Sequence, residues 1–283
     1  MSKRTAIAIK REIASTWEDI CHAAGTRPEA VQCLPNAENI RILGSGYKTD
    51  LAEFLHGVFT AVVYMSPDNE AFPDGSRRTM CPRAGLCSGA CLGHNTGRLA
   101  MAPGKRSRLW KTTLFLGARA LYDELIGLEI EAHERKAVGL NMIPAVRLDG
   151  STDTGHGMVL AERFSHSTVQ FYDYTKVLAR LARSVKHKNY DLTYSLSEKH
   201  KGPLPEGFNV AGVFATRKGE AFPDTYMGRE VISGDEHDAR FLDPPNKFVA
   251  LSFKAAKARD EHLADAMGFV RTDAGLAPQE ATQ

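Results

Sequence analysis

Thr168-Val169-Gln170-Phe171-Tyr172-Asp173-Tyr174-Thr175 decides the fold, together with the two segments that follow it. Its β-branched and aromatic residues predict a strand. Lys176 to Lys186 is amphipathic and predicts a helix, and Tyr190-Asp-Leu-Thr-Tyr-Ser-Leu predicts a second strand. Strand, helix and strand in succession predict a parallel pair joined by a crossover.

The same rhythm extends in both directions. Upstream stand Asn39-Ile-Arg-Ile-Leu-Gly, the strand Val58-Phe-Thr-Ala-Val-Val-Tyr-Met, a helical zone over 107–138 broken near Gly127, and the strand Pro144-Ala-Val-Arg-Leu-Asp. Downstream stand Phe208-Asn-Val-Ala-Gly-Val-Phe-Ala, the short Glu230-Val-Ile-Ser, Lys247-Phe-Val-Ala-Leu-Ser-Phe and a last helix from Ala255 to Met267. Six to eight such units, in roughly 230 residues, predict an α/β fold: a complete or partial β/α (TIM-like) barrel. A doubly wound open sheet is the alternative, and the lack of G-x-G-x-x-G after the first strand weakens a dinucleotide site. Residues 1–38 read as a helical appendage, with one helix from Ile7 to Ala24 and a short one from Pro28 to Cys33. Residues 39–271 form the barrel domain, and 272–283 a frayed tail.

The 283 residues are 43% hydrophobic and 25% charged, which excludes low-complexity and largely disordered classes. Net charge is +2, so global charge argues for neither nucleic acid nor acidic lipid as partner. No run reaches the length of a membrane span. Charge interrupts the N-terminal segment too early for a secretory h-region, and the expected setting is a reducing cytoplasm.

Five cysteines cannot all pair within one chain. Cys21 and Cys33 read as small buried hydrophobes. Cys81, Cys87 and Cys91 form C-x5-C-x3-C, with Gly85, Gly89 and Gly93 among them. Glycine lets such a loop fold back and aim three thiolates at one point. A structural zinc wants four ligands, usually as two CxxC-like pairs; the second pair is missing, although His94 is available as a fourth ligand. Three thiolates suit an iron–sulfur cluster, 3Fe-4S or 4Fe-4S with one open iron. These cysteines are the expected metal and cofactor ligands.

Polar residues gather where strands end, as chemistry does in a barrel. Asp149, Ser151, Thr152 and Asp153 follow one strand; Asp173 and Lys176 close the next; Tyr194-Ser-Leu-Ser-Glu-Lys and Thr216-Arg-Lys end two more. Gly234-Asp-Glu-His-Asp-Ala-Arg-Phe brings His237. Asp149, Asp153, Asp173, Lys176 and His237 are the catalytic candidates, set against the plain reading of Asp-Gly as a turn and of charge runs as solvated loops. On the strand over 168–175, either Tyr172 and Tyr174 or Phe171 and Asp173 face the interior; period two leaves the choice open. Arg98, Lys105, Arg106, Arg108 and Lys111 make a basic stretch, weak support for nucleic acid as partner.

With these blocks assembled, the chain resembles the phage gene-product-eighty-eight-like proteins, a group common in bacteriophages and mobile elements. The resemblance rests on Cys81-Pro with Cys87 and Cys91-Leu, Arg108 to Phe115, Val146-Arg-Leu-Asp-Gly-Ser-Thr-Asp, Val169-Gln-Phe-Tyr-Asp-Tyr-Thr-Lys, Leu192-Thr-Tyr-Ser-Leu-Ser-Glu, Asn209-Val-Ala-Gly-Val-Phe and Gly234-Asp-Glu-His-Asp-Ala-Arg-Phe-Leu-Asp-Pro. It implies phage or prophage origin, hence a host cytoplasm, and it delivers no reaction. The chain is similar also to radical S-adenosylmethionine enzymes, which place three cysteines after the first strand of a partial barrel. Their usual spacing is C-x3-C-x2-C, and no Gly-Gly-Glu-like segment ends the second strand here.

The expectation is therefore an iron–sulfur protein with the cluster at the barrel mouth. Open iron there acts as a Lewis acid for hydrolysis or elimination on an unknown small molecule, with the carboxylates and His237 as acid and base. Radical chemistry and a non-enzymatic, redox-sensing or nucleic-acid-associated role are the alternatives.

Overall fold

Val58-Phe-Thr-Ala-Val, buried at four of its five positions, forms the edge strand β1 (Val58–Val62). A computed structural model describes residues 4–31, 34–67, 79–89, 91, 93, 97–216, 220–254 and 266–272. Cys33, His94, Arg217, Lys218, most of the expected helix from Ala255 and the tail from Asp273 lie outside these residues.

The further strands are β2 (Ile143–Arg147), β3 (Gln170–Thr175), β4 (Tyr190–Ser195), β5 (Val210–Phe214), β6 (Thr225–Tyr226), β7 (Arg229–Ser233), β8 (Phe248–Ser252) and β9 (Val270–Arg271). The helices are α1 (Ala6–Ser15), α2 (Trp17–Ala23), α3 (Tyr47–His56), α4 (Gly97–Ala100), α5 (Ala102–Gly117), α6 (Arg119–Gly139), α7 (Gly157–Arg163) and α8 (Leu178–Ser184).

Among the described residues the nine strands join one sheet in the order β1-β2-β3-β4-β5-β8-β7-β6, with β9 on β5. Every pair is parallel except the hairpin of β6 and β7. The expected βαβ rhythm thus stands, and the strands from β1 to β5 neighbour one another in chain order. One edge of β5 is shared: β4 pairs with Val210 and Ala211, and β9 takes over at Val213 and Phe214. This brings the chain after Ala266 beside the end of β4.

A large apolar cluster covers one face of the sheet. It unites Val146 and Phe171 with Trp110, Leu114, Leu125 and Ile130 of α5 and α6, and with Ile9, Ile13 and Ile20 of the N-terminal helices. Two local expectations are corrected. The N-terminal helix divides at Thr16, whose hydroxyl bonds back to the Glu12 carbonyl at 2.8 Å. The long helical zone breaks at Ala118, not at Gly127. Gly127 lies within α6, and the Arg163 guanidinium packs on it; a Cβ there would fall 2.5 Å from Nη2. Helix α3, not expected from the sequence, ends at Gly57 with φ 63°, a left-handed residue suited to glycine.

The segment after β7 returns to the first strands. Ala239 packs with Ala52, Val58, Ala145 and Tyr172, and the Tyr172 and Phe241 rings lie 5.5 Å apart.

Candidate functional site

Parallel strands place all their C-terminal ends on one side, and there the chain forms a cleft of about 480 Å³. Its wall takes Tyr64 after β1, Asp149 to Asp153 after β2, Tyr174 to Lys176 at β3, Ser195 of β4, Val213 of β5, Asp235 and Asp238 after β7, and Leu251 to Lys254 at β8. The other wall is the cysteine loop, with Cys81, Cys87 and Cys91 all lining the same cavity. The volume suits a small-molecule ligand.

The four described cysteines are thiols; Cys21 is buried, and the three of the loop are half-buried. Two neighbouring loops hold the cysteine loop by its backbone. Asp153 N–H donates to the Met80 carbonyl at 3.0 Å, next to Cys81. Leu86 N–H donates to Glu198 Oε1 at 3.0 Å, next to Cys87. Residues Leu86–Ser88 form one 3₁₀ turn, and Cys87 packs against the apolar cluster of Phe253, Ala266, Phe269 and Val270. Gly93 is required by close approach: a Cβ would meet Pro67 Cγ at 2.8 Å and stand 3.6 Å from Cys91 Sγ. The donor set, three soft thiols around one cavity, fits an iron–sulfur cluster by its chemistry. Among the described residues no three His, Cys, Asp or Glu side chains already stand together as a metal-binding group.

The carboxylates differ from one another. Asp149 holds its own loop: its carboxylate accepts from Thr152 Oγ1 (2.6 Å), from Thr154 N (3.0 Å) and Oγ1 (2.9 Å), and from Gly155 N (2.9 Å). Asp153 accepts from Thr175 Oγ1 and Lys176 N, both at 2.9 Å, and pairs with Arg180. Burial raises its pKa, partly offset by the Lys176 N–H. Asp173 lies on the opposite face of β3 from Tyr174, since neighbours alternate. Its Oδ1 accepts the Asp149 N–H at 2.7 Å and its Oδ2 the Tyr190 hydroxyl at 3.1 Å. Burial, and then the charge of Asp149, pushes its carboxyl well above the ordinary range. On β3, Phe171 packs into the large apolar cluster and Tyr172 into the small one with Ala239, while Tyr174 lines the cleft.

Lys176 lines the cleft, with Nζ 5.4 Å from the centre of the Phe269 ring. His237 does not line it. The ring packs edge-on against His56 at 4.5 Å, and Arg240 Nη2 reaches its Nδ1 at 3.0 Å. Its neighbour Asp238 takes the place at the cleft and binds Arg147 Nη1 at 2.9 Å. Arg147, Tyr64, Tyr174 and Asp238 make a polar floor that strand-end reasoning passed over. The Arg147 guanidinium sits 4.8 Å over the Tyr174 ring, and the buried Tyr174 hydroxyl has no hydrogen-bond partner among the described residues. A charged residue closing the strand, two positions before the Asp149-Gly150 turn, was the available signal for Arg147.

The basic stretch divides on folding. Lys105 and Arg106 are exposed on α5, while Arg108 and Lys111 are buried. Burial lowers the Lys111 pKa to about 8, against the pull of Glu129. Among the described residues no helix is long and apolar enough to cross a membrane.

A family model described as Gene product 88 matches residues 39–271. No curated protein and no solved structure matches the chain.

Proposed function

The chain belongs to the Gene product 88 family, and from that premise and the cleft we propose that it is an iron–sulfur protein acting on a small molecule in the cell of a phage host. Cys81, Cys87 and Cys91 would hold the cluster. The fold is read as an incomplete β/α barrel. The parallel, chain-ordered strands from β1 to β5 and the return of residues 238–241 to β1–β3 support this reading.

The observation that carries the proposal is topological: three thiols on the loop after the first parallel strand line the cleft at the strand ends. Radical chemistry on S-adenosylmethionine is the activity this arrangement favours. Held by Cys81, Cys87 and Cys91 and reduced by an external donor, a cluster with an open iron would supply one electron for reductive cleavage of a sulfonium. The chain's own residues do the rest. Phe253, Phe269 and Leu251 offer an apolar wall that excludes water. Lys176 sets a cation at the mouth and Arg147 one at the floor, and Asp149 and Asp153 fix the loops between them.

Lewis-acid hydrolysis or elimination gains less support. It needs a carboxylate or imidazole with a lone pair toward the reacting atom. The carboxylates of Asp149 and Asp153 are engaged, Asp238 is paired with Arg147, Asp235 accepts the Ser252 N–H at 3.3 Å and faces Lys254, Asp173 is on the far face, and His237 is outside the cleft. Nucleic-acid association loses a continuous basic surface, because Arg108 and Lys111 are buried.

Anaerobically reconstituted protein, given S-adenosylmethionine and dithionite, is expected to release 5′-deoxyadenosine and methionine. An iron-loaded chain that releases neither would overturn the radical reading.

A further inference from the structure

The sequence Ser195-Leu-Ser-Glu-Lys-His, which begins at the last residue of β4, contributes only Ser195 to the cleft wall among the described residues. It makes a hydrogen-bonded turn. Lys199 N–H donates to Ser197 Oγ at 3.3 Å, and His200 N–H to the Ser197 carbonyl at 3.2 Å. The Tyr194 hydroxyl and His200 Nδ1 meet at 3.0 Å. From this turn two side chains reach the cysteine loop at adjacent points. Glu198 Oε1 accepts the Leu86 N–H at 3.0 Å, and Lys199 Nζ donates to the Ala84 carbonyl at 2.6 Å. Gly85 lies between them. A Cβ on Gly85 would fall 2.0 Å from Glu198 Oε1 and 2.9 Å from Lys199 Cε. Residue 85 must therefore lack a side chain for the two contacts to form.

We propose that Glu198 and Lys199 are positioning residues: they clamp the Ala84–Leu86 backbone across Gly85 and so set where Cys87 stands in the cleft. Carboxylate and ammonium match the two backbone groups by charge: the anion takes the N–H and the cation takes the carbonyl. The clamp works together with the Asp153 N–H on the Met80 carbonyl, so the loop is fixed on both sides of Cys81 and before Cys87. The turn Leu86–Ser88 then has one orientation, with Cys87 against the apolar cluster of Phe253, Ala266, Phe269 and Val270. The Glu198 Oε2 atom is buried with no hydrogen-bond partner among the described residues, a cost that a merely solvated glutamate would not carry. The meaning of the clamp for a cluster rests on the iron–sulfur reading; the clamp itself does not.

The test uses the full chain, reduced and metal-free, with native-state iodoacetamide labelling of each cysteine followed by mass spectrometry. Glu198→Ala is expected to speed labelling of Cys87 about fivefold, the population shift from losing one hydrogen bond. Buried Cys21 should keep its wild-type rate. Glu198→Gln, which retains an acceptor oxygen, should bring Cys87 most of the way back. An unchanged Cys87 rate in Glu198→Ala, or an equal rise at Cys21, overturns the clamp. If Glu198→Ala does not fold, Lys199→Ala carries the same test through the Ala84 contact, with the same two overturning results. Iron uptake by the wild-type chain is measured in parallel. Failure to take up iron sinks the cluster reading, while the labelling rates still decide the clamp.

Discussion

Arg147, the last residue of β2, and Asp238, five residues after the end of β7, are joined by an ion pair of 2.9 Å. The pair ties the return segment to the first strands and builds the cleft floor. Their side chains are only 12% and 19% exposed, so neither charge is well solvated. Asp238→Ala leaves the guanidinium buried without its carboxylate and should cost about 3 kcal/mol. The double variant Arg147→Met with Asp238→Leu should cost clearly less than the single. Urea melts of the three proteins decide this; a single variant as stable as wild type would show that the pair does not hold the floor.

A carboxyl on β4 gives stability a pH dependence. Burial, and then the charge of Asp243, pushes the Asp191 carboxyl up to about 6. The folded state therefore holds this proton more tightly than the unfolded state does. Below the unfolded pKa, near 4, both states are protonated and Asp191 is neutral in its effect. As pH rises from about 4 to 6 its contribution turns unfavourable, by on the order of 2 kcal/mol. Asp191→Asn should thus be more stable than wild type at pH 7 and equal to it near pH 4. Chemical melts at the two pH values check the sign, and a variant less stable at pH 7 contradicts it.

Asp149 is a loop organiser. With four donors on its carboxylate, Asp149→Ala would orphan buried groups of the Thr152–Gly155 turn and lower stability by about 3 kcal/mol. Thermal melts should report that loss. Wild-type stability with abolished turnover would instead mark Asp149 as the catalytic base.

Gly93 stands between Pro67 and the Cys91 sulfur. Gly93→Ala should displace Cys91 and reduce bound iron per chain severalfold, while α5 and α6 hold the far-UV circular dichroism unchanged. Full iron content in Gly93→Ala would show that Cys91 is not constrained there.

Much of the fold was legible because parallel strands buried on both faces are continuous apolar runs with plain ends. Residues 58–62 are of that kind, while 170–175 and 190–195 carry Asp173 and Asp191 and were marked instead by their β-branched and aromatic residues. Gly127 misled because a glycine that admits a neighbouring guanidinium looks in sequence like one that breaks a helix. Strand β9 was not legible at all: two residues pair where β4 leaves off, a tertiary event with no local signature. At the site, location was easier to read than role. Asp149, Asp153 and Lys176 do reach the cleft. That Asp149 spends its lone pairs on Thr152, Thr154 and Gly155 depends on loop geometry, which spacing does not carry. Asp173 was one position from the cleft face of β3, because period two fixes alternation and not direction; His237 was one residue from Asp238 in a loop after β7, whose path spacing does not carry.

The central claim is that Cys81, Cys87 and Cys91 hold an iron–sulfur cluster, and iron and acid-labile sulfide content with an electron paramagnetic resonance spectrum tests it most directly. Anaerobically reconstituted wild-type protein should hold about three to four irons per chain with matching sulfide and a cluster signal, and Cys87→Ala should hold neither. A colourless wild-type chain with one zinc and no sulfide, or a Cys87→Ala variant with the full cluster signal, would contradict the account.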